Sequence, residues 1–203
     1  AFFVAEAKGY YRDEGLEVKI LPGNGSGSTT KLVAEGLFKI GYADSATMAK
    51  FFADGYATKS VAVFTQTSPM SLVTLAETPI RTWQDIRGKK IGITISDAAS
   101  ALFKVVLGKL QLQESDVEIL KIATPHARGK ALMEKRIDGF FGYYINEPPR
   151  LEYQYGAELS WLPIVDLDIR FLSSSIIVNP QFLATHGETV RKFVRASQKG
   201  LRY

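Results

Sequence analysis

The segment Gly142–Pro148 (GYYINEP) gathers the side chains best suited to holding a small molecule. The rings of Tyr143 and Tyr144 can sandwich a flat heterocycle. Asn146 and Glu147 follow shortly after, and a carboxylate can accept hydrogen bonds from an amino group and a ring N–H together. The pattern also has an ordinary structural interpretation. In that interpretation Glu147 starts a helix, where the helix dipole favours an acid, and the tyrosines pack in the core.

A second candidate is the loop Gly25–Thr30 (GSGSTT), which is rich in glycine and hydroxyl groups. Glycine lets a backbone approach a ligand closely, and hydroxyl groups supply hydrogen bonds. No Gly-Lys-Ser/Thr ending follows, so the loop is not a phosphate-binding P-loop. The alternative is a flexible turn whose Ser/Thr end caps the next helix. The residues expected at a ligand are Gly25, Ser26, Gly27 and Ser28.

Further polar residues follow predicted strands. In open α/β sheets, ligands bind at the carboxyl ends of strands, beside helix N-termini whose N–H groups lack partners. This rule selects three pairs of candidates: Asp44 and Ser45, Gln66 and Ser68, and Ser96 and Asp97. The first and third pairs can equally be plain helix caps, and the second can be a surface turn. Arg170, at the return crossing between two lobes that the family resemblance given below implies, is the last candidate.

The remaining residues argue against covalent chemistry. The two histidines, His126 and His186, are far apart and have no paired carboxylates beside them, which makes a poor catalytic or metal-binding set. No nucleophile-elbow, zinc-protease or dinucleotide-binding pattern occurs. The chain contains no cysteine, which removes thiolate metal sites and cysteine nucleophiles. We therefore expect no catalytic residue, no metal and no cofactor.

The composition is that of an ordinary globular protein. The 203 residues suffice for one large domain or two small ones, and 46% are hydrophobic and 23% charged. The net charge of +4 is spread along the chain, and its densest cluster, Arg87–Lys90, is typical of a solvated loop, so we expect no nucleic-acid partner. No apolar run approaches the ~18 residues of a membrane span. The family resemblance given below implies a first strand and any targeting segment upstream of Ala1, and further residues after Tyr203.

Helical and extended patterns alternate along the chain, which predicts α/β sheets. The predicted helices cover residues 2–13, about 30–35, 46–54, 98–109, 127–136, 147–155 and 188–201. The predicted strands cover residues 17–21, 39–44, 60–64, 71–76, 90–93, 118–122, 137–144, 159–165 and 173–178.

Two motifs carry a family resemblance. Ala5–Val18 (AEAKGYYRDEGLEV) resembles the pattern A-x-x-K-G-Y-[YF]-x-x-E-G-L-x-V of solute-binding proteins of bacterial ABC importers, in the branch that takes up alkanesulfonates, nitrate and thiamine-precursor pyrimidines. Thr82–Gly92 resembles the pattern [ST]-x-x-D-L-x-G-K-x-[IV]-[GA] that opens the second lobe of these proteins, with Ile86 in place of the leucine. The resemblance covers nearly the whole chain.

The resemblance implies a two-lobed type II periplasmic-binding-protein fold, each lobe a mostly parallel sheet flanked by helices. Residues 1–76 and 173–203 would form the first lobe, and residues 77–172 the second. A small molecule would be captured in a cleft between the lobes and handed to an ABC permease in the membrane. The protein would be a monomer, either periplasmic or lipid-anchored outside the cytoplasm.

Other members of this fold define the alternatives. A fungal-type pyrimidine synthase relies on a cysteine-rich motif and histidine, and an aromatic sulfinate desulfinase uses a cysteine nucleophile, so the absence of cysteine argues against both. The effector domain of a transcription regulator is a third alternative. The motif Ala5–Val18 favours a transport protein over such a domain. Asp44 and Glu147 near the predicted cleft would repel nitrate or a sulfonate such as taurine. We therefore expect a thiamine-precursor pyrimidine, ahead of riboflavin and of the anions.

Overall fold

The computed structural model describes residues 1–94 and 98–203, without the side chains of residues 98–101. It divides into two compact units. The first unit consists of Ala1–Phe64 and Ser174–Tyr203, and the second of Thr65–Ser173. Each unit contains its own sheet.

The helices and strands alternate, as the sequence predicts. The helices are α1 (Phe2–Ala7), α2 (Tyr10–Asp13), α3 (Ser26–Ala34), α4 (Ser45–Ala53), α5 (Ala98–Lys109), α6 (Pro125–Met133), α7 (Glu147–Tyr155), α8 (Pro180–Thr185) and α9 (Gly187–Arg202). The strands are β1 (Ile40–Asp44), β2 (Lys59–Val63), β3 (Met70–Leu75), β4 (Lys90–Thr94), β5 (Glu118–Ile122), β6 (Gly139–Tyr143), β7 (Leu159–Pro163) and β8 (Ser174–Val178).

The first unit is built around β8, which is buried along its whole length. The strand order is β1-β8-β2, and β8 runs antiparallel to both neighbours. Helices α1 and α2 pack against α9, where Ala5, Tyr11 and Ala196 form a small buried cluster. The hydroxyl of Tyr11 forms a hydrogen bond of 2.9 Å with Ser197, which ties α2 to α9.

The second unit contains a five-stranded mixed sheet in the order β5-β4-β6-β3-β7. Strands β5, β4 and β6 are parallel, whereas β3 pairs antiparallel with both β6 and β7. Helices α6 and α7 cover one face over the buried side chains of Val73, Leu132, Phe140 and Leu151. The parallel strands β4 and β6 end at Thr94 and Tyr143, which brings those two residues to the same edge of the sheet.

The α/β prediction is confirmed, and several details differ. Gly9 adopts a positive φ of 76° and divides the predicted helix 2–13 into α1 and α2. Residues 17–21 alternate between half-buried and exposed but belong to neither sheet of the described chain, and Val18 packs on the cluster around Tyr11 instead. The family resemblance implies mostly parallel sheets, whereas the first sheet is antiparallel and the second is mixed, with parallel pairing among β5, β4 and β6. The units also divide after Phe64 rather than after residue 76, because β3 pairs with β6 and β7.

Among the residues that the structure describes, no helix combines the length and the apolar character needed to cross a bilayer.

Candidate functional site

Asp44 stands at the carboxyl end of β1 and opens α4. Its side chain is almost fully buried, with 2% of the residue exposed. Its Oδ1 accepts hydrogen bonds from the backbone N–H of Thr47 (3.0 Å) and from the Thr47 hydroxyl (3.3 Å). This is the geometry of a helix cap, so the capping interpretation of Asp44 is confirmed.

The glycine- and hydroxyl-rich loop is tied directly to Asp44. The backbone N–H of Asp44 donates to the Ser26 hydroxyl (3.0 Å), and the Thr30 hydroxyl donates to the Ser26 carbonyl (2.8 Å). Helix α3 already begins at Ser26, after Gly25 with a φ of 93° and without a side-chain cap. The prediction that a Ser or Thr side chain caps this helix is therefore wrong, because glycine reaches the required backbone conformation unaided.

The other predicted residues of this unit lie on α3 and α4. Gly27 is buried and Ser28 is half-buried, both in the first turn of α3. The Ser45 hydroxyl lies 3.1 Å from that of Ser175 on β8, and Ser175 also donates to the carbonyl of Ala43 (3.5 Å). Ser175 is not among the residues predicted from the sequence. The run of three serines at the start of β8 was the available signal.

In the second unit, Glu147 is the centre of a polar network. Its Oε1 accepts from Nη2 of Arg128 (2.7 Å), and its Oε2 accepts from the backbone N–H of Tyr143 (2.7 Å). Arg128, on α6, is 1% exposed and also donates from Nη1 to the Thr94 hydroxyl (3.3 Å). Its guanidinium lies 5.0 Å from the centre of the Phe140 ring, a cation–π distance.

The Arg128–Glu147 ion pair links α6 and α7 to the ends of β4 and β6. Glu147 does start α7, as expected, and at the same time its carboxylate is engaged with Arg128. Gly142 makes this approach possible, since a Cβ there would lie 3.0 Å from the carboxyl carbon of Glu147. Arg128 is not among the residues predicted from the sequence, although Arg128 shares the i, i+3, i+4 face of α6 with the apolar Ala131 and Leu132.

The two tyrosines of the turn make different contacts. The Tyr143 hydroxyl accepts a hydrogen bond from the Ser173 hydroxyl (3.2 Å). The Tyr144 ring instead lies parallel to that of Trp161, with centroids 5.9 Å apart and planes 6° apart. Asn146 is exposed and provides no side-chain cap to α7. Segment 143–147 thus carries aromatic rings and an amide beside the Glu147 carboxylate, which is bound by Arg128 and by the backbone of Tyr143.

The remaining predicted residues make other contacts or lie at the surface. Ser68 is buried and accepts from the backbone N–H of Met70 (3.3 Å), and Gln66 is exposed. Arg170 is exposed and pairs with the exposed Asp168 at 3.0 Å. The predicted pair Ser96 and Asp97 lies outside the described residues.

His126 lies on α6, and His186 lies between α8 and α9. Nδ1 of His126 is 3.1 Å from Nη1 of Arg150, and the His186 ring stacks on Phe182 with centroids 4.6 Å apart. Across residues 1–94 and 98–203, no three His, Cys, Asp or Glu side chains are grouped so as to hold a metal ion.

Residues 1–203 match the family model described as NMT1/THI5 like. The riboflavin-binding protein RibY of Chloroflexus aurantiacus is 30% identical over 205 residues, covering 98% of this chain and 57% of the relative. The 4-amino-5-hydroxymethyl-2-methylpyrimidine phosphate synthase of Schizosaccharomyces pombe is 26% identical over 204 residues, covering 96% of this chain and 58% of the relative. The chain thus spans less than two thirds of the length of these curated relatives.

Similar solved structures include the alkanesulfonate-binding protein SsuA of Xanthomonas axonopodis pv. citri, with a TM-score of 0.76 and 15% identity over 98% of this chain and 68% of that one. The periplasmic aliphatic sulphonate binding protein SsuA of Escherichia coli has a TM-score of 0.77 and 15% identity over 97% of this chain and 67% of that one. At such identities the likeness shows the fold alone. The chain belongs to the NMT1/THI5-like family, and its fold is that of the periplasmic binding proteins.

Proposed function

We propose that this chain is the ligand-capturing part of an extracytoplasmic solute-binding protein of an ABC importer. It binds a small polar heterocycle, a thiamine-precursor pyrimidine in the first instance, and delivers it to a permease. It acts as a monomer and carries out no covalent chemistry on its ligand. The predicted residues of both units, together with Arg128, Ser173 and Ser175, are the groups that we assign to ligand binding or to the support of the binding segments.

The observation that carries the proposal is the network around Glu147. Hydrogen bonds from Arg128 and from the backbone of Tyr143 hold the turn between β6 and α7 in one conformation. Such preorganisation lowers the entropic cost of binding, because the turn is already ordered before the ligand arrives. The held turn carries Tyr143, Tyr144 and Asn146, which offer ring faces and an amide to a flat polar molecule.

The structure changes the electrostatic argument about the ligand. The guanidinium of Arg128 balances the charge of Glu147 at 2.7 Å, so Glu147 gives less reason to exclude anions than its sequence position indicated. The preference for a heterocycle over nitrate or taurine now depends on the aromatic side chains of the turn. A ring offers an apolar face to them, whereas nitrate and taurine carry charge and no ring.

Riboflavin is the second candidate ligand. The relative that is named a riboflavin-binding protein shares 30% identity and covers nearly all of this chain. Other relatives are named pyrimidine phosphate synthases, so an enzyme is the alternative to a binding protein. The absence of cysteine from this chain supports binding without catalysis.

A thermal-shift panel tests the ligand class. We expect saturable stabilisation by 4-amino-5-hydroxymethyl-2-methylpyrimidine or riboflavin, amounting to about 2.7 kcal/mol at a hundredfold excess over the dissociation constant. Nitrate, an anion, and taurine, a zwitterion with a sulfonate group, serve as the ringless comparison compounds. Stabilisation by these two alone would show that the heterocycle assignment is wrong, and stabilisation by none of the four would remove the binding function itself.

A turnover assay separates capture from catalysis. After overnight incubation with the stabilising compound, mass spectrometry should recover it unchanged. A product that accumulates in proportion to protein concentration would instead identify an enzyme.

A further inference from the structure

Some of the exposed apolar side chains lie at or beside the turn that follows β6. Ile145, within the turn, is 49% exposed, and Leu172, next to the Ser173 that bonds to Tyr143, is 50% exposed. Trp161, in contact with Tyr144, is 40% exposed. Apolar surface gathered around a polar, preorganised segment is characteristic of binding sites rather than of inert surface.

Trp161 lies on β7, the edge strand of the second sheet, directly opposite Val73 of β3. Val73 is fully buried, yet Trp161 keeps much of its surface accessible. Its ring is nearly parallel to that of Tyr144, with a centroid distance of 5.9 Å inside the range of stacked aromatic pairs. The two rings therefore offer a partly accessible aromatic surface that extends from the candidate site to the edge of the sheet.

We propose that Trp161, together with Tyr144, forms the aromatic surface on which the flat heteroaromatic ring of the ligand stacks. Trp161 is thereby a specificity-determining residue that selects ring compounds over ringless anions. Ile145 and Leu172 flank the ring with apolar surface, while the amide of Asn146 serves its polar edge. This inference rests on the proposed function and identifies the side chain that enforces its ligand class.

The two tryptophans of the chain make the inference directly measurable. Trp83 is buried, at 6% exposure, and packs near Phe141, whereas Trp161 is accessible. Subtracting the emission of Trp161→Phe from that of the parent chain isolates the Trp161 signal, and Trp83→Phe provides it independently. We expect titration with riboflavin or with 4-amino-5-hydroxymethyl-2-methylpyrimidine to change this signal saturably, with the midpoint found by calorimetry.

Affinity measurements on variants complete the test. Trp161→Leu should weaken binding of the ring compound by about 10-fold, as expected for the loss of one stacking partner of a flat base. Trp161→Phe, which retains an aromatic face, should remain within about 3-fold of the parent by the same reasoning. Tyr153→Leu is the matched control, because Tyr153 is a 95% exposed aromatic residue on α7 of the same unit, and it should bind as the parent does.

The outcomes are distinguishable from those of the proposed function. If calorimetry shows that the parent binds a ring compound while the Trp161 emission stays constant, or if Trp161→Leu binds as tightly as the parent, the stacking role is overturned and the binding function stands. If no ring compound binds the parent, both fall together. Should Trp161→Leu fail to fold by circular dichroism, the parent-minus-Trp161→Phe emission difference decides the question.

Discussion

Each unit places an acid where a strand meets a helix, and the two acids are held by different partners. In the first unit, Asp44 accepts hydrogen bonds from the backbone and hydroxyl of Thr47. In the second unit, Glu147 faces the buried guanidinium of Arg128 and accepts from the backbone of Tyr143. A carboxylate held as a cap can be replaced by a neutral amide, because the accepting oxygen remains. A carboxylate in a buried ion pair cannot, because its partner would be left charged.

The comparison shows why similar sequence positions differ in their tolerance to change. Asp44 ends β1, and Glu147 begins α7 after the turn that follows β6, so both acids lie in candidate binding segments. The cap orients α4 locally, over three residues. The ion pair joins α6 to α7 and, through Thr94, to β4 as well. We therefore expect perturbations of the second cluster to spread further through its unit than perturbations of the first.

The largest effect is expected from Arg128→Met. This substitution leaves the Glu147 carboxylate, 13% exposed, without its cation and should lower the free energy of unfolding by about 3–5 kcal/mol. Urea unfolding followed by circular dichroism measures it. The double variant Arg128→Met/Glu147→Gln should recover part of the loss, since no charge is then left uncompensated. Equal stability of the single and double variants would show that the pair is not the source of the loss.

Substitution of a glycine in each unit should have a stability effect of intermediate size. A Cβ at Gly142 would lie 2.8 Å from Cε2 of Phe140 and 3.0 Å from Oε2 of Glu147, so Gly142→Ala should cost about 1–3 kcal/mol and weaken ligand binding. In the first unit, a Cβ at Gly41 would meet side-chain methyl groups of Thr29 and Val33, and Gly41→Ala should cost a similar amount.

Gly108→Ala is the control for these glycine variants. Among the described residues, no atom beyond the helix's own backbone lies within 4 Å of a Cβ at Gly108 on α5, so this substitution should stabilise the chain by up to about 1 kcal/mol through helix propensity. Thermal unfolding of the three variants side by side tests the ranking. Destabilisation by Gly108→Ala equal to that by Gly142→Ala would contradict the steric explanation.

The cap at Asp44 should be less sensitive. Asp44→Ala removes the acceptor of the Thr47 N–H and should cost about 0.5–2 kcal/mol. Asp44→Asn retains an oxygen in the same place and should lose much less. Chemical denaturation of both variants gives the difference, and equal losses would indicate that the charge of Asp44, rather than its capping oxygen, matters.

An ion pair at the surface of the first unit should show the smallest effect. The hydrogen bond from Arg195 lowers the pKa of Glu14 below its ordinary value. A lowered folded-state pKa means that Glu14 adds stability above the unfolded pKa and loses it as the pH falls through the folded value. The parent and Glu14→Gln should therefore differ slightly in Tm near neutral pH and converge in acid. A difference that grows on acidification would reverse this assignment.

The sequence alone determined the class of fold and several elements. Helices α5 and α7 and strand β5 begin and end where the patterns predict, because apolar periodicity and capping residues act over a few neighbouring positions. The two family motifs were also sufficient to identify the relatives that the whole chain matches. The strand predicted at 17–21 was wrong, since alternation of apolar residues predicts burial on one side and does not supply a neighbouring strand.

Tertiary structure decided which polar groups meet. Arg128 reaches Glu147 across 19 positions of sequence, and Ser173 reaches Tyr143 across 30. No local pattern encodes such contacts, because they depend on how helices pack on a sheet and which strand edges coincide. The same packing gives Tyr143 and Tyr144 different contacts and places Trp161 beside Tyr144. The residue types alone therefore indicated the turn after β6 as a candidate binding site. Its charge balance and its aromatic surface followed only from the folded structure.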